Sequence, residues 1–354
     1  MINIIILHIN KYCKMIKFNY KSPKFKSVWL SEIMSFWAVD CFGIISGIFG
    51  YKKYKFSNLI YLWVLTTFYS TIFSFLLYYI GKIRNIKSVL IMSFFPLLIK
   101  RHWYVNAYFS MYIFLPFINS GINNLKEKTF RKLIMFFILF YSIYNLTGAL
   151  ILGRNSYPFL NDGYSTNWLL ILYIFGAYLA KFKLINKMSL IYYIVWILIY
   201  LISSFFSFEF FIILLKKENR NIPNKLFINY LSPTMLLQTI SLIFIFFRLN
   251  IKNNITKKII SFFTPLTFST TLIHTLIFKL KYKYINIFFK WIIQFKPSYN
   301  FFKIYGLGIT IFIVCAFIDY LRLILFKLFK IRESCIFIEK KFPELIDKIY
   351  LLFN

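Results

Sequence analysis

Nine stretches of the chain, at about 29–50, 58–80, 103–121, 132–152, 165–181, 188–206, 228–248, 260–278 and 301–321, are apolar over the length a helix needs to cross a bilayer. Lipid offers no water to an unpaired backbone, so such runs are expected to be helices. Of the 354 residues, 60% are hydrophobic and 15% are charged, against about half and about a quarter in a soluble domain. This balance excludes an ordinary soluble enzyme, and the hydrophobicity excludes a disordered basic tail. The expected fold class is all-α: a polytopic membrane bundle of about ten transmembrane helices, the first of them truncated at its N-terminus.

That first helix is read from MINIIILHINKYCK. Its apolar run ends at Asn10 and Lys11, too short to span. It lacks the basic start and small-residue cleavage site of a signal peptide. It is expected to be the last two turns of a helix that begins before Met1. Apolar pieces at 89–99, 208–215 and 284–295 are also too short and read as interfacial or re-entrant. No internal repeat or Pro/Gly/Ser linker divides the chain. The expected organisation is a transmembrane domain over 1–321 and a basic amphipathic tail over 322–354, lying on the membrane surface.

The net charge of +32 comes from 43 Lys and Arg against 11 Asp and Glu. Ile, Phe, Lys, Asn and Tyr are abundant together, as AT-rich coding produces, and Lys and Arg also anchor loops at a membrane surface. The basic residues are spread over almost every loop, which argues against nucleic acid as a partner. Membrane lipids and phosphorylated ligands remain. If the spans alternate, Lys and Arg divide almost evenly between the two sides, so charge gives no orientation and the oligomeric state stays open. The loop 153–164, nearly free of positive charge and rich in turn residues, falls on the extracytoplasmic side of an alternating bundle ending inside. Its polarity would suit a sugar. Cys13, Cys41, Cys315 and Cys335 show no CxxC pair, and His8, His102 and His274 are far apart. No metal site is expected and disulfides stay open.

Polar groups inside apolar spans mark sites by default, because each costs about 2.5–3.5 kcal/mol at a helix centre. His8 closes the partial first helix, and its imidazole can take a proton from an alcohol and return it. The bland alternative is a boundary histidine held by one hydrogen bond. Glu32 and Asp40, eight residues apart, would share a face of one helix. Ser46 and Gly47 offer a small surface suited to helix packing. Lys100, Arg101, His102 and Trp103 gather at a helix start, where Arg can bind phosphate and Trp can belong to an interfacial belt. A late region carries Tyr230, Ser232 and, after a hydroxyl-rich run, His274. A lone buried histidine there is more often packed than catalytic. No nucleophile elbow, P-loop or dinucleotide fingerprint is present.

Several blocks together resemble acyltransferase family 3, the multi-spanning membrane O-acyltransferases of bacteria. They are AVDCFGIISGIFGYKKYK, RHWYVNAYFSMYIFLPFINSGINNL, GYSTNWLLILYIFGAYLAKF, YLSPTMLLQTISLIFIFFRL, LTFSTTLIHTLIF and FIDYLRLILFKLFKI, in the family's order. The resemblance implies a multi-pass protein of the bacterial cytoplasmic membrane. It would transfer an acyl group other than amino-acyl, usually acetyl, from acyl-coenzyme A to a hydroxyl of a cell-surface or exported polysaccharide. Acetyl-coenzyme A is then a donor substrate, the glycan is the acceptor, and no bound cofactor is implied. His8 falls where the family carries its first-span His, and the family's Arg one helix length earlier would precede Met1. The late His is followed here by Thr275 and Leu276 rather than Pro. His8 is the expected general base or transient acyl acceptor, with Glu32 or Asp40 orienting it or a basic partner. Arg101, with His102 and Trp103, is expected to bind donor phosphate or the oxyanion. Ser46, Tyr230, Ser232 and His274 are secondary candidates. The alternatives are an inactive truncated component of polysaccharide biosynthesis, or a polysaccharide polymerase or flippase. The latter usually carry a longer glycan loop.

Overall fold

A computed structural model describes residues 1–97, 103–153, 160–184, 190–217, 225–280 and 297–353. Every regular element among them is helical. In chain order these are α1 (Ile2–Tyr12), α2 (Pro23–Phe36), α3 (Ala38–Gly50), α4 (Phe56–Tyr79), α5 (Ile86–Phe94), α6 (Trp103–Asn124), α7 (Glu127–Ile138), α8 (Tyr144–Leu152), α9 (Thr166–Lys181) and α10 (Leu190–Lys217). They are followed by α11 (Pro233–Arg248), α12 (Asn254–Phe263), α13 (Thr267–Leu280), α14 (Pro297–Leu328) and α15 (Ile331–Phe353).

Five described helical stretches are long and apolar enough to cross a membrane: Pro23–Gly50, Phe56–Tyr79, Glu127–Ile151, Ile191–Lys216 and Tyr299–Leu328. Several boundaries differ from the sequence expectation, each for a local reason. The span expected over 260–278 is two helices, because Pro265 cannot donate to a continuing ladder and a single 3₁₀ turn, Thr264–Leu266, intervenes. The piece at 208–215 is no separate segment, since α10 continues unbroken for 28 residues with no Gly or Pro inside it. The piece at 89–99 becomes the nine-residue α5, tied to α4 by the Ser70 hydroxyl on the Met92 carbonyl at 2.5 Å. The piece at 284–295 lies outside the described residues. Arg322, where the surface tail was expected to start, is 3% exposed inside the bundle. The last span runs on to Leu328, and the tail helix α15 follows.

The centre of the bundle is the pair α3 and α9, which run parallel and in step. Asp40 meets Trp168, and small residues then let the backbones touch. A Cβ built on Gly47 would stand 2.0 Å from the Tyr173 carbonyl oxygen, and one on Gly176 would stand 2.0 Å from that of Ile44. Such contact is how helices associate where lipid supplies no hydrophobic drive. The helix α1 also runs parallel to its neighbour α13, and it is enclosed by α2, α13 and α14. Ile5, Ile6 and Ile9 of α1 are fully buried.

The two ends of the bundle are separate. At one, Tyr51 Oη donates to Asn123 Oδ1 at 2.6 Å. There Lys181 Nζ caps α6 through the carbonyls of Ile122, Asn123 and Leu125 at 2.8, 3.0 and 2.6 Å. The tail joins this end through Glu339 on the Phe56 amide at 2.6 Å. At the other end the 160–164 turn meets the segment before α11, where Asn229 Nδ2 donates to Asp162 Oδ1 at 3.0 Å.

Candidate functional site

In α1, Ile4–Leu7, Ile9 and Asn10 are buried, and His8 is half-buried between them. One face of His8 meets α13: His8 Nδ1 lies 2.7 Å from His274 Nε2. His274 is wholly buried, and its Nδ1 lies 2.5 Å from the Thr270 carbonyl oxygen one turn back. One turn on, Tyr12 stacks on Phe278 with centroids 5.3 Å apart, so the register of the two helices is fixed at two successive levels. Two histidines 266 residues apart in the chain thus come together as one pair.

His8 lines a cavity of about 920 Å³ that extends between α1, α2, α3, α6, α13 and the loops at 160–164 and 225–230. That volume is in the range of small-molecule sites, whose few polar groups fix a ligand's orientation. Glu32, Ser46, Trp103 and Tyr230 also line it. Ser46 Oγ donates to the Phe42 carbonyl at 2.7 Å. Tyr230 stacks on Phe36 at 4.5 Å and its hydroxyl pairs with that of Tyr164. Trp103 stands edge-on to Tyr164 with centroids at 4.6 Å.

Other expected residues are placed elsewhere. A one-residue break at Trp37 divides the Pro23–Gly50 stretch into α2 and α3, and Glu32 and Asp40 on either side of it meet different partners. Glu32 reaches the cavity and accepts from Asn10 Nδ2 at 2.9 Å, on the turn of α1 that carries His8. Asp40 is fully buried behind the wall, where Oδ1 accepts from Trp168 Nε1 at 3.0 Å. Ser232 caps α11, with Oγ accepting from the Met235 amide at 3.4 Å. Gly47 packs helices. Arg101 and His102 lie outside the described residues.

The cavity's rim at 160–164 carries backbone strain. Asn161 and Asp162 have φ of 45° and 55°, in the left-handed region that Asn and Asp tolerate better than other side chains. Gly163 follows at φ 88°, and a Cβ there would meet the Tyr230 Cβ at 2.4 Å. Both its dihedral and its space therefore require glycine. Burial pushes the Asp162 carboxyl above its ordinary pKa, partly offset by the Asn229 amide. Lys11 and Lys225 stand at the same rim and act electrostatically on Glu32.

Sequence reasoning missed Asn10, Tyr104, Tyr108, Tyr164, Lys225 and Asn229 as wall or support residues. In a chain with 27 Tyr and a lysine in nearly every loop, residue type alone singles none of them out. What converges is a half-buried imidazole, facing a cavity lined by hydroxyls, amides and a carboxylate. Such a group can move a proton to and from an alcohol.

Neither the curated proteins nor the solved structures yield a match to the chain. The model of an acyltransferase domain, acyltransferase family 3, matches residues 1–320. That match takes in α1, His8 and His274, the whole cavity and all of the long apolar helices but the last eight residues of α14's span, and the chain belongs to acyltransferase family 3, as a membrane acyltransferase.

Proposed function

We propose that the protein is an O-acyltransferase of the bacterial cytoplasmic membrane. It would move an acyl group, acetyl in the first instance, from acyl-coenzyme A to a hydroxyl of a cell-surface or exported polysaccharide. The observation that carries this reading is His8, the imidazole that faces the cavity within the family's domain. A thioester is already activated, so the protein's work is positioning, proton transfer and stabilisation of developing charge. His8 takes the proton of the acceptor hydroxyl as its oxygen bonds to the acyl carbon. The carbon–sulfur bond then breaks, and the departing thiolate of coenzyme A receives that proton back.

Glu32 serves by holding Asn10, and through it the turn of α1 that presents His8. Trp103 and Tyr164, packed edge to face, line the cavity together with Asn161 and Asp162 of its rim. They offer apolar faces with adjacent hydrogen-bonding groups, the combination a sugar's two kinds of surface require. We assign the acceptor to this rim. Arg101 is kept as a ligand for donor phosphate, and Asp40 as a support of the wall through its bond from Trp168.

The test is His8→Ala in cells or nanodiscs, with ester-linked acyl groups on the polysaccharide measured by NMR and transfer followed from labelled acetyl-coenzyme A. The expected loss is on the order of 10²–10⁴-fold, the range of a positioned acid–base group. Acylation at the parental level overturns the reading.

A further inference from the structure

The two histidines are joined in a way that fixes which nitrogen of each ring carries hydrogen. A carbonyl oxygen only accepts, so the 2.5 Å contact with Thr270 requires a proton on His274 Nδ1. His274 is wholly buried, and its hydrogen-bond partners among the described residues, Thr270 O and His8, include no carboxylate. An uncompensated charge there is costly, so the ring is neutral and its Nε2 is an acceptor. The 2.7 Å contact must then be donated by His8 Nδ1. A neutral His8 with hydrogen on Nδ1 has its lone pair on Nε2.

We propose that His274 is a positioning residue that sets the tautomer of His8, leaving Nε2 as the basic nitrogen presented to the acceptor hydroxyl. The inference rests on the acyl-transfer reading of the same site. It assigns to His274 a role separate from touching substrate. The chain of bonds runs from the Thr270 carbonyl through His274 to His8, so the backbone of α13 is the fixed end. That backbone is itself held, because Arg322 Nη2 donates to Ser269 Oγ at 3.3 Å, one residue before Thr270. When His8 takes a proton on Nε2, His274 Nε2 still accepts from Nδ1, and the new positive charge keeps its hydrogen bond. Orientation of a base by a third group is the general logic of catalytic triads.

The chain has only three histidines, so ring-¹⁵N histidine labelling in nanodiscs gives a spectrum that two single substitutions, His8→Gln and His102→Gln, assign completely. The expected wild-type result is an Nδ1–H pattern for both His8 and His274. An Nε2–H pattern at His8 overturns the proposal outright, whatever any variant does. In His274→Leu the His8 signal is expected to leave the pure Nδ1–H pattern, and kcat to fall on the order of 100-fold with KM for both substrates little changed. His274→Gln places an amide oxygen where Nε2 stood, and is expected to restore the Nδ1–H pattern at His8 and most of kcat. If His274→Leu does not fold, the wild-type and Gln spectra still decide. A tautomer pattern that stands while His8→Ala retains transfer separates the failure of the acyl-transfer reading from that of this one.

Discussion

Asp40, expected to orient His8 or a basic partner, is bonded to the indole of α9. It is 0% exposed, with Oδ1 held by the indole of Trp168 and Oδ2 without a hydrogen-bond partner among the described residues. A buried acceptor stripped of its donor bears the full desolvation cost, about 1–3 kcal/mol. Trp168→Phe is therefore expected to lower stability by about that amount, read as thermal or chemical unfolding in detergent. Asp40→Asn, which keeps an oxygen for the indole, is expected to cost less than Trp168→Phe. The reverse ranking would mean that the indole bond is not what supports Asp40. At this scale the sequence identified His8, Glu32, Ser46, Trp103 and Tyr230 as polar or aromatic residues in apolar surroundings, and all five line one cavity. It had no means of finding that His274 meets His8, because 266 residues separate them. Proximity of that kind is made by helix packing, not by spacing.

Helix positions and their packing follow from where small residues and chain breakers sit. Gly47 and Gly176 are the contact points of α3 and α9, each lacking space for even a methyl group. Gly47→Ala and Gly176→Ala are expected to destabilise by at least about 1–3 kcal/mol through forced separation of the helices. The check is the monodisperse fraction on size-exclusion chromatography and the unfolding midpoint. A wild-type midpoint in both variants would show that the approach is looser than 2.0 Å implies. The tail is the other informative element. The residue before α4, Lys55, supplies no side-chain cap, and Glu339 of α15 does so instead. Burial alone would raise the Glu339 carboxyl, but bonds from Ser57 and Phe56, with Lys55 nearby, outweigh it and hold its pKa below the ordinary value. A carboxylate so depressed contributes stability that is complete above the unfolded pKa of about 4.3, and loses it as pH falls through the lower folded value. Tail docking, followed by hydrogen exchange at α15, is expected to weaken over that acid range. In Glu339→Gln the same acid-dependent loss should vanish, and its persistence would assign the effect to another group.

Three helices of the bundle are tied by a cluster around Arg322, the residue at which the surface tail was expected to start. Arg322 is bonded to Asp319 through Nε at 2.8 Å and Nη2 at 2.5 Å. It also donates to Tyr61 Oη of α4 at 2.9 Å and to Ser269 of α13, while Tyr69 Oη of α4 donates to Asp319 at 2.5 Å. Three helices meet on one buried ion pair. Removing one partner leaves an uncompensated charge, so Arg322→Leu is expected to cost about 3–5 kcal/mol, and the double variant Asp319→Leu/Arg322→Leu less. Equal losses in single and double variants, measured by unfolding in detergent, would show that the pair is not coupled. The all-helical class and the membrane setting were legible in the apolar runs, because the need to satisfy every backbone group in lipid is met within each run, and the family was legible in the ordered blocks. The partners came from the packed bundle: His8 with His274, Asp40 with Trp168, Arg322 with Tyr61 and Ser269, and the two ends of the bundle. Those pairings depend on which helix faces which, fixed by close packing at small residues and by buried hydrogen bonds between distant segments, and a linear pattern of hydrophobicity carries none of that information.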